Sequence, residues 1–347
     1  MAHNIVRLGL VGAGRIAQAA HLPAAVKASG IELAAVSDPN DYIAAGVADK
    51  YGIAGYTNFD EMLASDIDAV IVAAPDRLHV PLASQAIKAG KHVLVEKPLA
   101  TTEDEAVLLT ELAAKAGVKL QVGSMKRHDP GIEFARNSLH QIGNVLSVQA
   151  WYRVMSRLRA DTEETLFPPI VMDPAVRATE STFKTNRESY LLVTHGAHLF
   201  DSIRYLAGDL SSISSRVAVV GDDITWHGTG PLKSTGGLVS FEISAGVHSD
   251  WSEGFSIFGD RGTLEVRTHF PFFRRSSDVT VFTELDGITK SPVNGDSNAF
   301  KRQLEAFAVA ILKDEDPNPN GRDGVQAARM LEAVAASTAQ NGKDIAL

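Results

Sequence analysis

Ile5-Val6-Arg7-Leu8-Gly9-Leu10-Val11-Gly12-Ala13-Gly14-Arg15-Ile16-Ala17 passes from a strand-like apolar run, through two glycines one residue apart, into a stretch whose apolar positions recur every three or four residues. A strand, a glycine turn and a helix in that order open a βαβ unit. In Gly-x-Gly-x-x-Ala the first glycine permits the tight turn, the second lets a diphosphate approach the backbone, and the small third residue lets helix and strand pack closely. The helix start then offers backbone N–H groups and the positive end of its dipole to the anion. Gly12, Gly14, Arg15 and Ile16 are the first candidates for a dinucleotide site. Glycine-rich turns are common, so the weight comes from the place of this one between a strand and a helix.

Beyond this stretch, apolar runs at Ile31 to Ser37, Ala69 to Ala74, His92 to Glu96 and Leu120 to Gly123 alternate with helix-period stretches at Ile16 to Ser29, Asp41 to Lys50, Leu78 to Ala89 and Thr102 to Ala116. That alternation predicts a parallel sheet. Asp38 ends the second run, 24 residues beyond Gly14. An acid there accepts hydrogen bonds from the adenosine ribose and repels a 2′-phosphate, which favours NAD over NADP; Asp38-Pro39 also reads as a plain turn. After Lys126 the pattern changes. A helix at Gly131 to Leu139 and a strand at Val145 to Arg153 precede a polar, proline-bearing segment of about 35 residues and a helix at His198 to Ala207. Between Ser212 and Phe282 glycine-punctuated strands follow one another without helices, among them Gly237 to Val247, Gly254 to Gly259 and Gly262 to Arg267, which predicts antiparallel pairing. Two helices, Asn298 to Leu312 and Gly324 to Ala339, close the chain. The expected fold is α/β: a doubly wound, parallel Rossmann sheet over residues 1–124, then an α+β domain over residues 125–347 built on an open-faced, mostly antiparallel sheet, with the terminal helices free to pack back on the first domain.

The 347 residues, 45% of them hydrophobic, suffice for two cores. Lys plus Arg at 33 against Asp plus Glu at 42 gives 33 − 42 = −9, and no basic cluster appears, which argues against nucleic acid. The absence of cysteine excludes disulfides, thiolate nucleophiles and cysteine-ligated metals. No apolar run approaches the roughly 18 residues of a membrane span, and the start runs directly into the first strand. A cytoplasmic protein that does not engage membranes is expected.

Asp68-Ala-Val-Ile-Val-Ala-Ala74-Pro75-Asp76-Arg-Leu-His79, then Ala89-Gly90-Lys91-His92-Val-Leu-Val-Glu96-Lys97-Pro98, and later Phe258-Gly-Asp-Arg-Gly-Thr-Leu-Glu265 resemble the glucose-fructose oxidoreductase, inositol dehydrogenase and MocA (Gfo/Idh/MocA) family over nearly the whole chain. The resemblance implies NAD and a substrate between a Rossmann domain and an open-faced sheet domain, with hydride transfer at a secondary alcohol of a sugar, inositol or similar polyol. Lys97 is then the group that hydrogen-bonds substrate and touches the cofactor, following Glu96 in the Glu-Lys-Pro signature. Ala74, Pro75, Asp76 and His79 resemble the loop beside the nicotinamide ribose; the family's usual asparagine is Asp76 here, a residue that also suits a helix cap. Val122-Gly-Ser-Met-Lys-Arg127-His128-Asp-Pro130 resembles the family's crossover segment, in which Arg127 supports cofactor or substrate, or packs at the domain interface.

Family catalysis rests on Asp-x-Gly-x-His-x-x-Asp at a helix start, and this chain has Thr194-His195-Gly196-Ala197-His198-Leu199-Phe200-Asp201. His198 matches the proton acceptor, and its type suits proton transfer near neutrality. Threonine replaces the assisting aspartate. Gly196 suggests that the helix begins after it, leaving Thr194 extended and facing substrate and His195 structural. No metal is expected from His195, His198 and Asp201. Arg153, Arg157, Arg159, Arg187 and Tyr190 are candidates for substrate choice or simply a solvated segment. A homodimer or homotetramer would cover the open sheet. The rival readings are a dinucleotide-binding regulator that has lost the chemistry, favoured by Thr194, and an NAD-dependent glycoside hydrolase.

Overall fold

Gly12 sits at the carboxyl end of β1 (Val6–Val11), a strand in which Arg7 alone escapes burial. In the computed structural model, which describes residues 5–155, 163, 165–167, 170–173 and 186–347, β1 pairs on one side with β2 (Ile31–Ser37) and β3 (Ala54–Tyr56) beyond it. On its other side follow β4 (Ala69–Val72), β5 (His92–Glu96) and β6 (Leu120–Gly123). All five pairings are parallel, and the order β3-β2-β1-β4-β5-β6 reverses between β1 and β4, the crevice where such sheets hold ligands.

The connecting helices form for local reasons. A π-helical turn, Ala17–His21, runs into α1 (Leu22–Ala25), so this helix stops short of the predicted Ser29. Asn40 caps α2 (Asp41–Tyr51), its Oδ1 accepting from Ile43 N–H at 3.1 Å. The short α3 (Phe59–Leu63) and β3 carry no pattern long enough to predict. α4 (His79–Lys88) precedes β5, and Thr102 caps α5 (Glu103–Ala116), its Oγ1 accepting from Glu105 N–H at 3.3 Å, while Glu105 Oε2 accepts from Thr101 Oγ1 at 2.7 Å. Valines and leucines of the strands, such as Val70, Val72, Val93 and Val95, close the core against these helices. Among the described residues this compact unit also includes Phe167, Ile170–Asp173 and the stretch from Phe300 to Ala328, with Gly324 packed so closely that a Cβ would lie 2.5 Å from Leu99.

Among the described residues the second unit is built on nine strands. In chain order they are β7 (Val145–Met155), β8 (Ser212–Val220), β9 (Asp223–Pro231), β10 (Leu238–Val247), β11 (Ser252–Gly259), β12 (Gly262–Thr268), β13 (Asp278–Thr283), β14 (Ile288–Lys290) and β15 (Ile345–Ala346). Their order is β14-β13-β12-β11-β7-β10-β9-β8-β15, antiparallel throughout except between β7 and β10. One face is covered by α6 (Pro130–Ile142) and α7 (Arg187–Ala207), together with the end of α9 (Gly321–Ala339), which follows α8 (Ala299–Leu312). Val148, Ala150, Tyr152 and Val154 alternate inward along β7, meeting Leu199, Phe200 and Ile203 of α7. On the open face, ladder register aligns Leu238, Ser147, Phe258, Thr263 and Phe282 across five strands, and the three apolar members are exposed. Among the described residues no helix is long and apolar enough to cross a membrane.

The expectation that Thr194 is extended before a helix starting after Gly196 is corrected: Thr194 lies within a helix. The helix predicted from His198 begins at Arg187 and passes straight through Gly196. A Cβ at Gly196 would lie 2.6 Å from Leu331 Cδ2 and 3.3 Å from Ile243 Cδ1, so the glycine is there for close packing and not as a helix start.

Candidate cofactor-binding and catalytic residues

Gly12 has φ +87°, and a Cβ there would lie 2.8 Å from the backbone N and Cα of Ala74, so no other residue fits the turn. At Gly14 a Cβ would meet nothing within 4 Å, which leaves open room beside the helix start. Those two properties fit a dinucleotide diphosphate. Ile16 is half-buried in the first helical turn, and the exposed Arg15 lays its guanidinium 5.1 Å over the Phe167 ring. Asp38 is drawn onto the loop, its Oδ2 accepting from Ala13 N–H at 2.9 Å and its Oδ1 from Asn40 N–H at 3.0 Å. Burial pushes the Asp38 carboxyl up from its ordinary value, against the pull of those two hydrogen bonds.

At the ends of β4 and β5, His79 bridges two loops, with Nε2 2.9 Å from the Ala74 carbonyl oxygen and Nδ1 2.7 Å from that of Pro98. Its ring therefore shapes the Ala74-Pro75 turn. Asp76 starts a 3₁₀ turn, Asp76–Leu78; α4 takes Leu78 as its N-cap without a side-chain hydrogen bond, so Asp76 does not cap it. Glu96, buried at the end of β5, holds Lys97 N–H at 3.1 Å with Oε2 and meets His21 Nε2 at 2.7 Å with Oε1. Burial works to raise the Glu96 pKa, but the hydrogen bond and charge of His21, with Lys97 and His79 nearby, hold it below its ordinary value. The Lys97-Pro98 peptide is cis.

In the second unit α7 carries Thr194, His195, His198 and Asp201 as helical residues. Tyr152 stacks on both imidazoles, with ring centroids 5.5 Å from His195 at 26° and 5.7 Å from His198 at 5°. This is offset-stacked geometry that holds an aromatic ring in one plane. The Lys126 ammonium lies 4.6 Å over the same tyrosine ring and pairs with buried Glu253, which also accepts from Thr268 Oγ1 at 2.7 Å. Arg127 forks onto Asp201, Nη2 to Oδ1 at 2.8 Å and Nε to Oδ2 at 3.0 Å, both groups buried. That pair ties the crossover segment to α7. Arg153 pairs with Glu242; Arg187 and Tyr190 lie in the first turn of α7; Arg157 and Arg159 fall outside the described residues. Among the described residues no group of three or more His, Asp or Glu comes together as a metal site.

The structure thus gathers Gly12, Gly14, Asp38, Ala74 and His79 around one loop system, with Glu96 and Lys97 at the next strand end. Sequence reasoning missed His21, Tyr152 and the Lys126–Glu253 pair. The two-residue alternation of β7 carried a signal for Tyr152, which shares the parity of Val148 and Ala150; nothing local marked His21.

Residues 6–124 match an oxidoreductase family with an NAD-binding Rossmann fold, and residues 184–347 match that family's C-terminal alpha/beta domain. Inositol 2-dehydrogenase of Rhizobium meliloti (strain 1021) is 25% identical over 350 residues, covering 96% of this chain and 97% of that protein. D-xylose 1-dehydrogenase (NADP(+)) 2 of Haloferax volcanii is 25% identical over 94% of this chain and 95% of its own. The crystal structure of an NAD binding oxidoreductase from Klebsiella pneumoniae shares the fold, with a TM-score of 0.80 at 20% identity over 99% of both chains. With both domain matches in order along the sequence, this chain belongs to the Gfo/Idh/MocA oxidoreductase family and carries its NAD-binding Rossmann domain.

Proposed function

We propose that this protein is an NAD-dependent dehydrogenase that oxidises a secondary alcohol of a sugar, an inositol or a related polyol to the ketone, or runs the reverse reduction. The observation that carries the reading is Lys97, whose backbone is fixed by buried Glu96 at the carboxyl end of a parallel strand, the end at which such sheets bind ligands. The inositol and D-xylose dehydrogenases among its relatives support the substrate class. The Gly12 turn and Asp38 would hold NAD, which would supply the acceptor for the carbinol hydride. Lys97 donates a hydrogen bond to the reacting oxygen and stabilises the negative charge that develops there. His198, its ring plane set by Tyr152, takes the hydroxyl proton, so that a ketone is left. Asp38 accepts the ribose hydroxyls and favours NAD; Thr194 offers its hydroxyl to a substrate oxygen.

Thr194 in place of the family aspartate favours a second reading, a dinucleotide-binding regulator without turnover. Sugars, inositols and their keto forms screened against NAD and NADP by absorbance of the reduced nicotinamide separate the two: the dehydrogenase shows net reduction or oxidation with one of them, and the regulator binds NAD without it. Substrate consumed without net change in the nicotinamide would indicate the glycoside hydrolase instead. The apolar row Leu238, Phe258 and Phe282 on the open sheet is the surface assigned to a second copy of this chain in a cytoplasmic homo-oligomer.

A further inference from the structure

Gln18, wholly buried in the π-helical turn, binds a segment more than 150 residues away in sequence. Its Nε2 donates to Val171 O at 2.8 Å and to Ala13 O at 2.7 Å, and its Oε1 accepts from Val171 N–H at 2.8 Å. The Val171 side chain presses on α2, where a Cβ at Gly46 would lie 2.8 Å from Val171 Cγ1. Two residues further on, Asp173 Oδ2 accepts from Asn40 Nδ2 at 2.7 Å. Asn40 is the same residue that caps α2 and whose N–H holds Asp38.

A 2′-phosphate on a ribose held by Asp38 would have to be accommodated beside that carboxylate, near the start of α2. In NADP enzymes of this fold an arginine receives it there. Here the surroundings are anionic: Asp38, Asp41 in the first turn, and Asp173 brought in by the Gln18–Val171 anchor. Arg15, the nearest arginine in sequence, lies over Phe167. The Ile43 and Ala44 N–H groups of the helix start are already taken by Asn40. We propose that Asp173 is a second determinant of cofactor choice, a carboxylate delivered from outside the β2–α2 region that excludes the 2′-phosphate and so selects NAD. The inference rests on the NAD-dependent reading above, and deepens it.

The test is calorimetric titration of the full chain with NAD and NADP, comparing the native protein with Asp173→Asn. The amide oxygen of that variant still accepts from Asn40, so the segment stays docked while its charge is removed. NADP should bind about tenfold tighter and NAD within about twofold of native, and the NADP gain should shrink as salt screens the charge. Asp41→Asn, which removes a solvent-exposed acid, should give a smaller gain. Unchanged NADP affinity in Asp173→Asn, or an equal change for both nucleotides, would overturn the proposal. Native protein that already binds NADP as tightly as NAD would defeat the NAD preference itself, and the response of Asp173→Asn would still report on Asp173 separately.

Discussion

His21 Nε2 lies 2.7 Å from Glu96 Oε1, a pair closed off from solvent directly behind the Lys97 backbone. Because the folded Glu96 carboxyl titrates below its ordinary value of 4.5, it contributes stability above about that pH and loses it as pH falls through the lower folded value. Glu96→Gln keeps the shape and removes the charge. It should cost about 2–3 kcal/mol at neutral pH. Urea denaturation across pH should show the gap to the native protein constant above about pH 5 and narrowing below about 4.5. A gap that ignores pH would mean that charge is not what the pair contributes.

Asp38→Ala should narrow the preference for NAD, since like charges a few ångströms apart cost on the order of 1–3 kcal/mol in a partly screened site. Dissociation constants for both nucleotides report it. NADP should gain and NAD should lose, because the ribose hydroxyls lose their acceptor.

Lys97→Met removes the ammonium while roughly keeping length. Nucleotide affinity should stay near native while turnover falls by about 10²-fold or more, the signature of a group that acts on transition-state charge. Titration and steady-state kinetics on one preparation separate the two quantities; native turnover would remove Lys97 from the chemistry.

On α7 the four-residue spacing sets Thr194 and His198 on one face of the helix. His198→Asn should abolish most turnover, and Thr194→Val should mainly raise KM. His195, buried against Tyr152, should act through packing: His195→Asn lowers the melting temperature more than kcat. A His195 variant as inactive as the His198 variant would reassign the proton carrier.

What was legible follows from range. The central Rossmann strands β1, β4, β5 and β6 could be read because nearly every residue in them is buried, which leaves a continuous apolar run; β2, β5 and β6 have the predicted bounds. The Gly12 turn and the place of Asp38 after β2 were readable because both are set within one βαβ unit. Gly196 misled because a glycine required by a neighbour's side chain looks the same in sequence as one required by a turn, and Leu331 is 135 residues away. His21, Tyr152 and Asp173 escaped for the same reason: their partners Glu96, His198 and Asn40 are joined to them by the fold alone.

The most direct test of hydride transfer uses a polyol substrate found by the screen, carrying deuterium on its ring carbons. The protein is given this substrate with NAD, and the released nucleotide is examined by mass spectrometry. The account predicts one deuterium in each NADH and one ketone formed per NADH; substrate consumed with the nucleotide left unlabelled and unreduced would contradict it.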